Sequence, residues 1–250
     1  MVERLIRNEQ IVGSIPTEGS SSYLMRERTV QNSQVITTLR GFIRATHFGP
    51  TVLVVMMSFL LSLSPYSATE SIRIALAVLA GQCVVGWTND LIDYPLDVAA
   101  SRSKKPLVAG MITAKHLKPA VFIALFFALV LSLIAPWGVK GTALHFLALL
   151  SATLYNSKLK KSLLSVLPYL VSFGSLLWGI YLGAGKNPPL WLFIAFLSFT
   201  SAFHFLNVLK DLEMDLAQGI HGLPQRMGKN RSIAAAVILG LIGSYFLIFR

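Results

Sequence analysis

The sequence predicts an all-α protein: a multi-span transmembrane bundle of seven helices over residues 41–250, behind a polar tail over 1–40. Three observations lead there. Hydrophobic residues make up 54% of the chain and charged residues only 13%, about half the charged share of a soluble domain; the mean hydropathy is +0.64. Seven apolar stretches reach or approach the roughly 20 residues that a helix needs to cross a bilayer core. Lysine and arginine collect in alternate connections between them. A surface with so little charge must mostly face lipid.

The tail, Met1 to Arg40, is polar and has no apolar run of signal-peptide length. Gly13 to Ser22 is rich in Gly, Ser, Pro and Thr and reads as flexible. The spans are expected near 43–63, 72–88, 117–136, 141–156, 163–183, 190–209 and 232–249, the fourth being short with soft ends. Helices are the natural spanning form, because lipid offers no partner to an exposed backbone N–H or C=O. The runs also lack the alternation of a barrel strand. Cys83 is the only cysteine, so no disulfide within the chain and no cysteine metal site is possible.

Of 22 lysines and arginines, 18 fall on one side of this arrangement. They lie in the tail and the start of span one, and in the connections after spans two, four and six. Only Arg73, Lys140, Lys186 and Arg250 fall on the other. The positive-inside rule then puts the N-terminus in the cytoplasm. It also accounts for the net charge of +11 as a topology signal, which argues against nucleic acid as a partner.

An acidic cassette is written twice, where spans two and six end. Asn89, Asp93, Asp97, Pro106 and Gly110 coincide with Asn207, Asp211, Asp215, Pro224 and Gly228 at a constant offset of 118 positions. Asp93 and Asp97 are four apart, as are Asp211 and Asp215, so each pair shares one helix face; Asp90 falls roughly on the first. Like charges one turn apart repel and destabilise a helix. A magnesium ion removes the objection, since it takes carboxylate oxygen and completes its shell with water and phosphate. Ionisable side chains at the membrane edge are functional candidates by default. Asn89 and Asn207 can supply neutral oxygen or amide donors beside the metals. Arg102, Lys104 and Lys105 follow the first cassette, and Lys158 follows Tyr155-Asn156-Ser157; such cations hold phosphate oxygens and stabilise a leaving group. Lys160 and Lys161 read as topology charges.

At these residues the chain resembles the UbiA superfamily of membrane prenyltransferases. Asn89 to Asp97 resembles the first motif, Asn-Asp-x-x-Asp-x-x-x-Asp. Arg102 to Gly110 resembles its Arg-x-x-Arg/Lys-Pro-Leu-x-x-Gly continuation, and Tyr155 to Lys158 the Tyr-x-x-Lys at the end of the fourth helix. Asn207 to Gly219 resembles the second motif, especially the Asp-x-Glu-x-Asp form of the menaquinone and chlorophyll branches. Val208 departs from it, standing where Asp often occurs. Seven spans are fewer than the family's usual nine.

The resemblance implies a ring of helices around a central cavity open to the cytoplasm, in an integral protein of the plasma membrane. Two or more Mg2+ ions, held by Asp90, Asp93, Asp97, Asp211 and Asp215, would bridge a polyprenyl diphosphate. Asp93, Asp97, Asp211, Asp215 and Lys158 would carry catalysis. Asn89, Arg102, Lys104, Lys105, Tyr155, Asn207 and Arg44 would bind substrate. The allylic C–O bond ionises and an acceptor attacks the cation, the protein's task being positioning and exclusion of water. The expected acceptor is an aromatic quinone precursor of the hydroxybenzoate or dihydroxynaphthoate type; a glyceryl phosphate is the alternative. A transporter is the rival class, because transporters also repeat, but a transport site belongs nearer the midplane. Arg44 serves substrate or snorkels at the interface with equal merit. His204 reads as a satisfied interior histidine, and His116, His145 and His221 as too scattered for a metal. Trp87 and Phe205, matched in the repeat, read as packing; Trp137 and Trp191 fit an aromatic belt.

Overall fold

The computed structural model describes residues 21–250, with side chains from Glu27 onward. It is all-helical among these residues: α1 (Ser21–Ala45), α2 (Phe48–Ser62), α3 (Ala68–Ala99), α4 (Ala114–Ile134), α5 (Gly138–Ser157), a 3-10 turn (Leu159–Lys161), α6 (Leu167–Gly183), α7 (Leu190–Leu209), α8 (Leu212–Ala217) and α9 (Leu223–Ile248). The part of the polar segment from Ser21 is helical and, from Glu27, mostly exposed; the earlier residues, including most of the Gly/Ser-rich stretch, lie outside the described ones.

Seven helical regions stand where the seven spans were expected, but fewer are membrane-spanning by length and composition. Four helices qualify, α3, α4, α7 and α9, and the bent pair α1–α2 makes a fifth. α6 is apolar but shorter, with 17 residues. α5 has the length, but Lys140, Thr142, His145, Ser151 and Asn156 dilute its apolar run. The two pack closely on each other, so much of their surface answers to neighbouring helices rather than lipid.

α3 sets the geometry of the bundle. Its start is fixed by a capping box, in which Ser67 Oγ accepts from the Glu70 N–H and the Glu70 carboxylate accepts from the Ser67 N–H. At 32 residues it is about 48 Å long, well beyond a hydrocarbon core of about 30 Å. The surplus is its last turns, which carry the first cassette. α2, α4 and α5 all pack against α3.

The corner between α1 and α2 bends by 59° and abuts α3 at Gly86. A Cβ there would lie 2.8 Å from both the Ala45 and the Thr46 carbonyl oxygen. These are backbone atoms and cannot step aside. His47, at the corner, holds φ 56 and ψ 64, a left-handed conformation that a non-glycine residue adopts only when its surroundings enforce it. The repeat shows a backbone logic of its own: Gly110 (φ 66) and Gly228 (φ 78), matched in sequence, both occupy the region that favours glycine.

The largest core cluster joins α3, α6 and α7 around Trp137, which is 1% exposed and donates its indole N–H to the Ser132 carbonyl at 2.9 Å. Trp137 is therefore a core residue and not part of an aromatic belt.

Gly86→Ala should cost about 1–3 kcal/mol, the usual range for overpacking, and push the α1–α2 corner off α3. Thermal unfolding of the detergent-solubilised protein checks this; an unchanged midpoint would mean that the corner is not tightly seated.

Candidate active site

The first cassette lies within α3, on its final turns, rather than beyond the helix end. Asp90 and Asp97 are 2% and 3% exposed. A buried carboxylate is costly unless its charge is met, and the chain meets it from two directions. Behind α3, Ser101 adopts φ 51, and the Arg102 N–H reaches back to the Asp97 carbonyl at 2.9 Å. This reversal returns Arg102 and Lys105 to the helix they have just left. Lys105 Nζ lies 2.7 Å from Asp90 Oδ1 and 3.9 Å from Asp97 Oδ2. Arg102 Nη1 lies 3.3 Å from Asp97 Oδ1. From the α1–α2 corner, His47 Nε2 comes within 2.9 Å of the same Asp90 oxygen, and Asn89 Nδ2 lies 3.4 Å from that histidine nitrogen.

The second cassette crosses a break. α7 stops at Leu209, and Asp211 has φ −114 and ψ 9 before the six-residue α8. The expected single helix face over Asn207 to Asp215 is thus interrupted. The spacing survives because the Asp215 N–H bonds the Asp211 carbonyl at 2.8 Å. Arg102 joins the two cassettes: besides Asp97 it lies 3.9 Å from Asp211 Oδ1, and its Nε–H points at Met214 Sδ, 2.7 Å away. Gln225 Nε2, at the start of α9, donates to Asp215 Oδ2 at 2.8 Å. Burial pushes the Asp215 carboxyl above the ordinary carboxylate range, with the Gln225 hydrogen bond pulling the other way. Glu213 is exposed and does not line the cavity described below.

The connection between α5 and α6 reverses one expectation. Lys160, on the 3-10 turn, pairs with Asp93 Oδ1. Lys158 is exposed and does not line the cavity. Tyr155, one turn earlier, is packed edge-on against Tyr169 with centroids 5.3 Å apart.

These elements enclose one cavity of about 710 Å³ at one end of the bundle. Asp90, Asp93, Asp97, Asp211 and Asp215 all line it. So do Asn89, Arg102, Lys104, Lys105, Tyr155, Asn207 and Arg44, with His47, Lys160, Lys210 and Gln218 besides. A second, smaller chamber of about 170 Å³ is walled mainly by apolar side chains, among them Val54, Val78, Leu149, Phe173 and Leu176. Pro50, Gln82, Val85, Tyr155, Asn156 and Tyr169 line both chambers, so the two meet at the tyrosine pair. His204 lies behind that pair, its ring 4.4 Å from Tyr169. It is fully buried, but neither ring nitrogen has a hydrogen-bond partner among the described residues; it is interior without being satisfied.

The donor set suits magnesium. Among the described residues no three acidic, histidine or cysteine side chains stand close enough to hold a metal alone. Magnesium rarely asks for that, using one or two carboxylates and drawing the rest of its shell from water and substrate phosphate. The cavity walls carry six lysines and arginines against five aspartates. They are close to balanced, so an entering polyanion would leave the chamber negative unless cations came with it. Among the described residues Asp90 Oδ2 is buried with no hydrogen-bond partner, and so are two donors of residues that line the same cavity, Arg102 Nη2 and Gln218 Nε2. Orphaned groups of both signs in one chamber are what a bound cation–anion pair would satisfy.

Solved structures share this architecture. A UbiA homologue from Archaeoglobus fulgidus bound to GPP and Mg2+ superposes with a TM-score of 0.67 at 16% identity, covering 84% of this chain and 78% of the other. The apo UbiA homologue from Aeropyrum pernix K1 gives 0.65 at 21% identity, covering 82% and 78%. A digeranylgeranylglyceryl phosphate synthase gives 0.61 at 24% identity, covering 86% and 76%. At these identities the likeness establishes the fold. No curated protein sequence matches the chain. The model of the UbiA prenyltransferase family matches residues 49–249, which takes in both cassettes and every helix from α2 onward, and the chain belongs to that family.

Proposed function

We propose that the chain moves an isoprenoid group from a polyprenyl diphosphate to a small acceptor, with the bundle over 41–250 as its catalytic domain. The observation that carries this reading is the joining of two unlike chambers at Tyr155 and Tyr169. The polar one gathers all five cassette aspartates with buried donors of Arg102 and Gln218 that have no hydrogen bond among the described residues; the apolar one suits a hydrocarbon tail. A diphosphate in the first and its prenyl chain in the second would set the allylic carbon at the junction.

The roles of the side chains follow from their places. Asp90, Asp93, Asp97, Asp211 and Asp215 would hold Mg2+, which when bound with diphosphate neutralises charge as a Lewis acid. Arg102, Lys105 and Lys160 already sit among the carboxylates and would turn their N–H groups to phosphate oxygens, stabilising the charge that grows as the C–O bond ionises. The ring faces of Tyr155 and Tyr169 favour a nearby cation. The apolar walls keep out water that would capture that cation. Solved relatives support the donor class: one is bound to GPP and Mg2+ and another structure to DMAPP and Mg2+.

For the acceptor we favour an aromatic quinone precursor. Arg44 lines the cavity and offers a carboxylate a bidentate partner; the Asp211-x-Glu213-x-Asp215 pattern points the same way. A glyceryl phosphate is the second reading, favoured by the structural likeness to digeranylgeranylglyceryl phosphate synthase. The carboxylates collect at one end of the bundle, which disfavours transport through a midplane site. The skew of basic residues supports a mouth and N-terminus facing the cytoplasm, and the membrane we propose is the plasma membrane.

Asp93→Asn and Asp211→Asn should each lower kcat by about 100-fold or more, the scale for losing one preorganised electrostatic partner, while the protein still inserts. Turnover of purified variants with magnesium and a prenyl diphosphate measures this; full activity in either would remove its cassette from the reaction.

The acceptor and the orientation can be read together. Membrane vesicles of both orientations are given a radiolabelled prenyl diphosphate and hydroxybenzoate, dihydroxynaphthoate, homogentisate or glyceryl phosphate. Product from an aromatic acid, and only when the cytoplasmic face is outward, is expected. Product from glyceryl phosphate alone would move the enzyme to the second reading, and product only from the opposite orientation would invert the topology.

A further inference from the structure

The five aspartates are not held alike. Asp90, Asp93, Asp97 and Asp211 each have a cationic side chain within 4 Å. Among the described residues Asp215 has none at that distance; its hydrogen-bond partner is the neutral amide of Gln225. Gln225 is 7% exposed and does not line the cavity, so it grips Asp215 from behind.

The grip is built into the fold. Gly222, just before α9, lies so close to the α5–α6 connection that a Cβ would fall 2.5 Å from the Lys160 carbonyl oxygen and 2.7 Å from Gln225 Oε1. The Leu223 N–H donates to Ser165 Oγ at 3.0 Å. The start of α9 is thereby fastened to the same short segment that sends Lys160 to Asp93. One bracket, formed by residues 160–165 and 222–225, holds one carboxylate of each cassette.

We propose that Gln225 is a positioning residue for the metal–diphosphate site: its amide fixes Asp215 without cancelling its charge. A lysine or arginine there would fix the carboxylate equally well but compete with the metal for it. A neutral donor orients one oxygen and leaves the charge for an incoming cation, as outer partners of metal-bound carboxylates do. This rests on the prenyltransferase reading, within which it assigns a role to a side chain that touches neither substrate nor metal.

The test uses the full-length protein in detergent, with Mn2+ binding in the presence of inorganic pyrophosphate followed by electron paramagnetic resonance, and prenyl transfer followed against Mg2+ concentration. Gln225→Met, similar in length but without a donor, should weaken metal affinity on the order of tenfold or more, with kcat recovering at saturating magnesium. Gln225→Asn, whose amide is too short to reach, should do the same and guards against a variant that fails to fold. In an Asp215→Asn background, Gln225→Met should change metal affinity no further, since a residue acting through Asp215 has nothing left to act on. Unchanged metal affinity in a folded Gln225 variant would overturn the proposal, as would an equal loss in the Asp215→Asn background. Absence of magnesium-dependent turnover in the unsubstituted protein would instead overturn the prenyltransferase reading, which separates the two failures.

Discussion

Five carboxylates around one chamber repel one another, and much of the local structure answers to that repulsion. Two of them, Asp90 and Asp97, are almost wholly buried, where an uncompensated charge costs most. The left-handed His47, the reversal at Ser101, the 3-10 turn that carries Lys160 and the clamp at Gly222 are otherwise unrelated features of four separate segments. Each delivers a positive or hydrogen-bonding group to an aspartate. Gly86 belongs to the same set, because only a residue without a Cβ lets the α1–α2 corner approach closely enough for His47 to reach Asp90.

Such a site is held together by pairs that a substrate can replace. Arg102 is the clearest instance. It spans both cassettes, at 3.3 Å from Asp97 and 3.9 Å from Asp211, yet its Nη2 is buried without a hydrogen bond among the described residues. Metal on the aspartates would free the guanidinium, and phosphate would receive it. The tyrosine pair marks where the charged lining stops, beyond which the walls are mainly apolar. On the proposed reading, a reactive cation formed at that border would have aromatic faces on one side and its departing anion on the other, with little room for water.

The repeated cassettes, the helical class and the cationic loop after the first cassette were legible in the sequence because they depend on spacing within one segment. What depended on packing between segments was not. Lys158 and Lys160 are two apart, and which of them turns inward is decided by a 3-10 turn that no periodic pattern announces. Trp137 sits at a span end, as belt residues do, but is roofed over by α3 and α6. α5 and α6 read as spans from their apolar residues alone, and a run that packs against neighbouring helices looks the same in sequence as one that faces lipid. His47 gave only its position near Arg44; its pairing with Asp90, 43 residues away, needs the bend. Gln225 carried a weak signal, lying between the repeat-matched Pro224 and Gly228, but nothing local connects it to Asp215.

The central claim is that both cassettes serve one ligand in one chamber. The most direct measurement is a structure of the protein with Mn2+ and a non-reactive prenyl thiolodiphosphate, located by anomalous scattering. The account predicts metal density in contact with aspartates of both cassettes, phosphorus between them, and the prenyl chain passing Tyr155 and Tyr169. Metal confined to one cassette, or a diphosphate bound outside the chamber, would contradict it.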